Sequence, residues 1–81
     1  MQKNKPQKGD IYIHYKDQDK KYEIVSLAFD TESEKEVVVY KPLYEPNHLS
    51  GTEMDFFVRE INIFMEDIEI EGNLIPRFRK V

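Results

Sequence analysis

The chain contains no cysteine. Disulfides and thiolate-held metals are thereby excluded, and the absence fits a reducing compartment. It also lacks any apolar run near the roughly 18–20 residues that a membrane span needs. The opening MQKNKPQKG is basic but leads into no apolar segment, so it does not read as a secretory signal. The expectation is a cytoplasmic protein with no membrane partner. Histidine is scarce. His14 and His48 are far apart, and neither has a second ligand at metal spacing. No metal and no cofactor are expected. Nucleophile elbows and phosphate loops are missing as well, which argues against an enzyme.

What remains is 81 residues of ordinary apolar content and abundant charge. A chain of this size forms one domain and removes roughly 60% of its unfolded surface from water. The net charge of −4 hides an asymmetry. Residues 1–21 carry six lysines against three aspartates, or +3. Residues 22–75 carry three cations against thirteen acids, or −10, and residues 76–81 add +3. If the two basic ends meet, they form one patch on an acidic body.

Residues 1–8 have no periodicity and read as a flexible tail, which leaves 9–81 as the folded domain. Gly9-Asp10 opens an alternation that puts Ile11, Ile13 and Tyr15 on one face and Tyr12, His14 and Lys16 on the other. Asp17–Lys20 has turn chemistry. Tyr22–Phe29 and Glu36–Tyr40 are β-rich and flank a polar hinge, Asp30–Lys35, as one long hairpin. Pro42 ends the second arm. Leu43–Glu53 reads as a loop and Met54–Arg59 as a strand. Ile61 and Phe64, three apart, indicate a short helical turn within Glu60–Met65. Asp67–Glu71 alternates, with Ile68 and Ile70 inward. Gly72-Asn73 predicts a type II′ hairpin. Pro76 places the last run at an edge or a bulge. Short strands spaced about ten residues apart predict an all-β fold: a small, partly open SH3-like barrel with one short helical turn. The expected core is Ile11 or Tyr12 with Ile24, Leu27, Val37, Val39, Phe64, Ile68 and Phe78. Tyr22 and Tyr40 are also expected inside, with Tyr12 and Tyr44 as a surface pair.

Several spaced motifs add a resemblance. They are GDIYIHYK at 9–16, YEIV at 22–25, DTES at 30–33, VVVYKPLY at 37–44, FVR at 57–59, IFMEDIEIEG at 63–72 and PRFR at 76–79. In this order they resemble the bacterial family called domain of unknown function 1653. The resemblance implies a small β-domain with no assigned reaction. The matching positions include Tyr12, His14, Tyr15, Thr31, Glu32, Tyr40, Tyr44, Arg59, Phe64, Arg77 and Phe78. The family pattern has a histidine where this chain has Asp30, and Trp-Val-Arg-Pro where it has Phe57-Val58-Arg59-Glu60.

The candidate binding residues are Tyr12, His14, Glu32, Tyr44 and Arg59. A strand arginine among aromatics can offer its fork to an anion or pair with a carboxylate, and Glu32 is the expected partner for Arg59 or Arg77. Alternatively, Asp30 and Thr31 make the hinge a side-chain-capped turn. The leading reading is a non-catalytic binding module for a peptide, a protein or a polar small molecule. One alternative is a nucleic-acid adaptor using Lys8, Lys16, Arg77, Arg79 and Lys80; the acidic body disfavours it. Another is a small enzyme built on His14 and Glu32.

Overall fold

The structure is a computed structural model that describes residues 4–44 and 55–81. The strands are β1 (Ile11–His14), β2 (Asp17–Asp30), β3 (Lys35–Pro42), β4 (Phe57–Glu60), β5 (Asp67–Ile70), β6 (Asn73–Pro76) and β7 (Phe78–Lys80), with the single-turn helix α1 (Ile61–Phe64) after β4. Most of the expected Leu43–Glu53 loop, the start of the Met54–Arg59 strand, and His48 lie outside the described residues.

The fold is all-β. Five antiparallel strands form one sheet in the order β4-β3-β2-β1-β7, and β5-β6 is a separate hairpin. The expected long hairpin is β2–β3, paired from Tyr22↔Pro42 to Asp30↔Lys35. Asp30 shapes its turn. Its Oδ1 accepts the N–H groups of Glu32 at 3.0 Å and Ser33 at 3.4 Å. Those bonds hold the Asp30 carboxyl below its usual range.

A bulge in β2 explains how one strand supplies both Ile24 and Leu27 to the interior. Ile24 pairs with Tyr40, but the register then slips so that Leu27 pairs with Val38. The slip at Val25 restores Leu27 to the face of Ile24. Plain alternation corrects the expected core of β3. Val38 and Tyr40 point into the cluster, whereas Val37 and Val39 share the opposite face, Val37 being buried there outside the cluster.

The same parity corrects β1. Its core face is Tyr12 and His14, not Ile11 and Ile13: Tyr12 belongs to the buried cluster, and Ile13 is buried outside it. The turn after β1 is Tyr15-Lys16 rather than Asp17–Lys20. The partner jumps from Lys21 at Ile13 to Asp17 at His14, so three residues of β2 are accommodated in an irregularity. The imidazole Nδ1 of His14 accepts the Lys16 N–H at 3.2 Å and closes this short turn. In the second hairpin Ile70 pairs with Asn73, so the turn residues are Glu71-Gly72. Both have positive φ, 50° and 83°, which is the type I′ geometry rather than II′.

The core is an aromatic cluster drawn from β1, β2, β3, α1 and β7. Tyr12, Tyr22, Ile24, Val38, Tyr40, Ile61, Phe64 and Phe78 form one cluster, with Leu27, Tyr44, Phe57 and Met65 packed on it. Phe64 and Phe78 stack at 4.1 Å, and Tyr12 and Tyr40 meet Phe64 edge-on at 5.3 and 5.4 Å. Such pairs add about 0.5–1.5 kcal/mol each beyond area burial. Ile68, expected in this core, is only half-buried on the second hairpin.

The sheet is strongly curved. β4 and β7 are its opposite edges, four strand spacings or about 19 Å apart if flat. Yet the Arg59 guanidinium of β4 lies 5.4 Å from the Phe78 ring of β7. No ladder joins the two edges among the described residues, so the sheet wraps its core without closing into a barrel. Residues 4–9 run against this body. Pro6 is buried, the Lys5 ammonium is 2.9 Å from Glu36, and the Gly9 N–H donates to the Ile24 carbonyl at 2.9 Å.

Candidate functional site

Pairing of β1 with β7 sets His14 opposite Phe78. The imidazole meets the Phe78 ring edge-on at 4.9 Å and leans on Tyr15 at 4.7 Å. Across the curved sheet, Arg59 covers the same Phe78 ring. Arg59 is held in place by its Nε–H, which donates to the Tyr40 hydroxyl at 3.3 Å. Tyr40 in turn packs edge-on against Phe78 at 5.7 Å. Among the described residues no carboxylate lies within ion-pair distance of Arg59.

A pair of phenols flanks this centre. The Tyr22 and Tyr44 hydroxyls are 2.8 Å apart, and the Lys20 ammonium sits 5.1 Å from the Tyr44 ring. Burial, then the bond to Tyr44, pushes the Tyr22 phenol above its ordinary range. Burial and nearby Asp10 also raise the Tyr12 phenol. Both remain neutral hydrogen-bonding groups at physiological pH.

His14 shifts the other way. Burial first, then the positive charges of Arg59, Lys16 and Arg77, lower it from the ordinary 6.5. The neutral imidazole uses Nδ1 as the acceptor for Lys16, so its proton sits on Nε2. Arg77 completes the positive surroundings. Its guanidinium is 3.6 Å from Glu66, and its Nε is buried without a hydrogen-bond partner among the described residues. The result is a rim rich in donors and positive charge over an aromatic floor. Such a rim can hold an anion.

Of the expected site residues, the structure brings His14 and Arg59 together on Phe78. Tyr44 joins them through Tyr22, whose ring is 5.9 Å from Phe78. Tyr12 lies in the core at 8% exposure, beneath Phe64, rather than on the surface. Glu32 is elsewhere. It sits in the exposed β2–β3 turn, while His14 lies at the opposite end of β2. From Lys21, near His14, to Asp30 runs about 30 Å of strand at about 3.3 Å per residue. Among the described residues no ion pair joins Glu32 to Arg59 or Arg77. Phe78 and Tyr40 are expected in the core rather than at a site, Lys16 only in the nucleic-acid alternative, and Lys20 in neither. Only the flanking arginines of the PRFR motif hinted at Phe78.

The basic termini do meet, because β1 pairs with β7. Their charges are strung along the ribbon instead of gathered. Lys80 is 3.5 Å from Asp10 at one end, Arg77 is engaged by Glu66, and Lys16 lies over Tyr15 at the far turn. Lys8 and Arg79 are exposed. Among the described residues, no three His, Cys, Asp or Glu side chains cluster to hold a metal, and no helix is long and apolar enough to cross a membrane.

The fold and its rim define a small all-β module whose distinguishing feature is a cation-covered aromatic core. Residues 10–80 match the family model of the proteins of unknown function DUF1653, and the chain belongs to that family. It is similar to the crystal structure of a DUF1653 protein from Bordetella bronchiseptica, with 26% identity and a TM-score of 0.71, over 98% of this chain and 87% of that one. No curated protein matches it significantly.

Proposed function

We propose that this protein is a non-catalytic binding module that takes the anionic group of a peptide, a protein or a polar small molecule at the Phe78 rim. The observation that carries the reading is Arg59. Its guanidinium is stacked on Phe78, steered by Tyr40, and beside a neutral His14 that carries its proton on Nε2. Desolvated on an aromatic face, a guanidinium binds carboxylate or phosphate more strongly than one in open water. Tyr44 and Lys20 extend the rim. An enzyme pairing His14 with Glu32 finds no support in their separation. The missing cysteines and the acidic body fit a cytoplasmic setting.

An NMR titration of the whole chain with an acetylated, amidated triglutamate peptide, against its triglutamine counterpart, tests this. The expected result is saturable shifts at the Arg59 Nε–H, His14 and Phe78 with triglutamate alone. Arg59→Gln should weaken binding at least about tenfold, the loss of one charge-assisted contact. Absence of saturable shifts, or equal binding by the variant, overturns the reading. A labelled single strand and a labelled duplex provide the counter-test. Binding that weakens steeply with salt and vanishes in an Arg77→Glu/Arg79→Glu variant would favour the nucleic-acid adaptor instead.

A further inference from the structure

Beside the β1–β7 ribbon, next to the aromatic cluster, lies a cleft of about 200 Å³ lined by Ile13, His14, Tyr15, Gln18, Ile75, Pro76 and Arg79. It forms because β6 comes close to the β1–β7 ribbon. Ile13 and Arg79 are direct cross-strand partners and so share one face of that ribbon. Ile13 is 7% exposed yet takes no part in the main core, and Ile75 is half-buried opposite it. The floor is therefore aliphatic. Polar groups come only from the rim: the Arg79 guanidinium, the Gln18 amide, and the edges of His14 and Tyr15. Among the described residues no acid pairs with Arg79.

Size and charge narrow the occupant. The space is too small for the drug-sized ligands that fill cavities of about 300–1,000 Å³. It is somewhat larger than the ~150 Å³ apolar cavity that accepts a benzene. One aliphatic or small aromatic group fits. An apolar floor beneath an uncommitted guanidinium matches a molecule that is apolar at one end and anionic at the other. We propose that this cleft is a second binding site, for an apolar group that carries a carboxylate. The apolar group sits on Ile13, Ile75 and Pro76, and the carboxylate faces Arg79. A free aliphatic acid and the last residue of a polypeptide chain share this chemistry. The site shares His14 with the Phe78 rim but not Arg59.

The test uses the whole protein, isotope-labelled, with four probes: hexanoate, N-acetylleucine, N-acetylleucinamide and acetate. Hexanoate and N-acetylleucine should shift the Ile13 and Ile75 methyl signals saturably in the millimolar range, as expected for ligands of so few atoms. Acetate lacks the apolar group and the amide lacks the charge, so each should bind at least about tenfold more weakly. Arg79→Gln should abolish the preference for acid over amide while leaving the melting temperature unchanged, because Arg79 is exposed. Arg59→Gln should leave binding here intact, which separates this site from the rim. A tighter N-acetylleucine than hexanoate identifies a chain terminus as the natural ligand, and the reverse identifies a free acid. Three results would each overturn the site: no saturable methyl shift, equal binding of acid and amide, or acid binding unaffected by Arg79→Gln.

Discussion

Ile68 and Ile70 alternate with acids as cleanly as any residues in the chain, yet Ile70 is 42% exposed and Leu74 on the neighbouring strand is 72% exposed. In the five-stranded sheet, Tyr12, Tyr22, Tyr40 and Phe78 are all under 9% exposed, although each carries a polar group or sits near a strand end. Alternation alone does not separate these regions. What separates them is what lies across from each face. The sheet curves until the Arg59 guanidinium of one edge covers the Phe78 ring of the other, and α1 inserts Phe64 into the middle. The β5–β6 hairpin has two strands and no third. Only Ile68 and Ile75, a direct cross-strand pair, are half-buried. Stability in this molecule therefore rests on aromatic closure, and the aliphatic hairpin is an appendage that borders a cleft.

The largest test of that contrast is Phe64→Ala. Phe64 is 1% exposed and touches Tyr12, Tyr40 and Phe78. Its truncation should cost about 3–5 kcal/mol in denaturant unfolding. The same measurement on Ile68→Ala should give clearly less, about 1 kcal/mol, since half of that side chain's surface burial is absent. Equal losses would mean that the hairpin is as much a part of the core as the rings.

Next in size is removal of residues 1–8. Pro6 is buried, and Lys5 reaches Glu36, so the segment adds packing to the sheet. Deletion should lower stability by about 1–2 kcal/mol, the value of one modest buried side chain with its nearby polar contacts. An unchanged melting temperature would assign all the holding power to the sheet and make the segment the flexible tail that its composition indicates.

A smaller effect sharpens the comparison at the rim, where the aromatic core meets charge. His14 has a folded pKa below the ordinary 6.5, through burial and then through Arg59, Lys16 and Arg77. The unfolded chain then binds the His14 proton more readily than the folded one. This contribution to stability is complete above about pH 6.5 and is lost as pH falls through the lowered folded value. Stability profiles of the native chain and of His14→Asn should therefore diverge between neutral pH and that lower value, with the variant flatter. Asparagine can still accept the Lys16 N–H, so the turn survives the exchange. Parallel profiles would show that the cations near His14 do not act on it.

Much of this was legible in the residues. The long hairpin, the capped turn at Asp30, the helical turn at Ile61–Phe64 and the inward Tyr22 and Tyr40 all follow from local pattern. What the pattern hid has one physical origin. Period-two reasoning assumes an unbroken strand and a preference for aliphatic interiors. A single bulge at Val25 shifted the register of β2, so Leu27 joined Ile24 on the inner face, while plain alternation put Val38 beside Tyr40 in the cluster. A tyrosine can be buried by ring packing, and Tyr12, edge-on to Phe64, makes the tyrosine face of β1 the inner one. The rim itself is a product of curvature. Arg59 and His14 are 45 residues apart in the chain and sit on strands separated by two others. Only bending brings both to Phe78, and no spacing in the sequence encodes that. Glu32 was the casualty of the same limit, since its neighbours in sequence are all at the far end of the sheet.

The smallest expected effect is at Leu74, and it is the sharpest check on the hairpin. Leu74 pairs with Glu69, so it shares the acidic face of β5–β6 and points away from Ile68 and Ile75. At 72% exposure it has little apolar surface left to lose. Leu74→Ser should change the unfolding free energy by less than about 0.5 kcal/mol, as surface substitutions usually do. Threonine at the same position should be neutral or slightly stabilising, because a β-branched side chain suits an exposed strand. A loss of about 2 kcal/mol or more from serine would mean that Leu74 is covered in solution. The covering surface would then belong to another molecule, and the same variant, compared by sedimentation across a range of protein concentrations, would reveal it by a shift to lower mass. If serine is silent in both measurements, the outer face of the hairpin carries neither the fold nor an assembly, and the hairpin's contribution lies on the opposite side, where Ile75 borders the cleft.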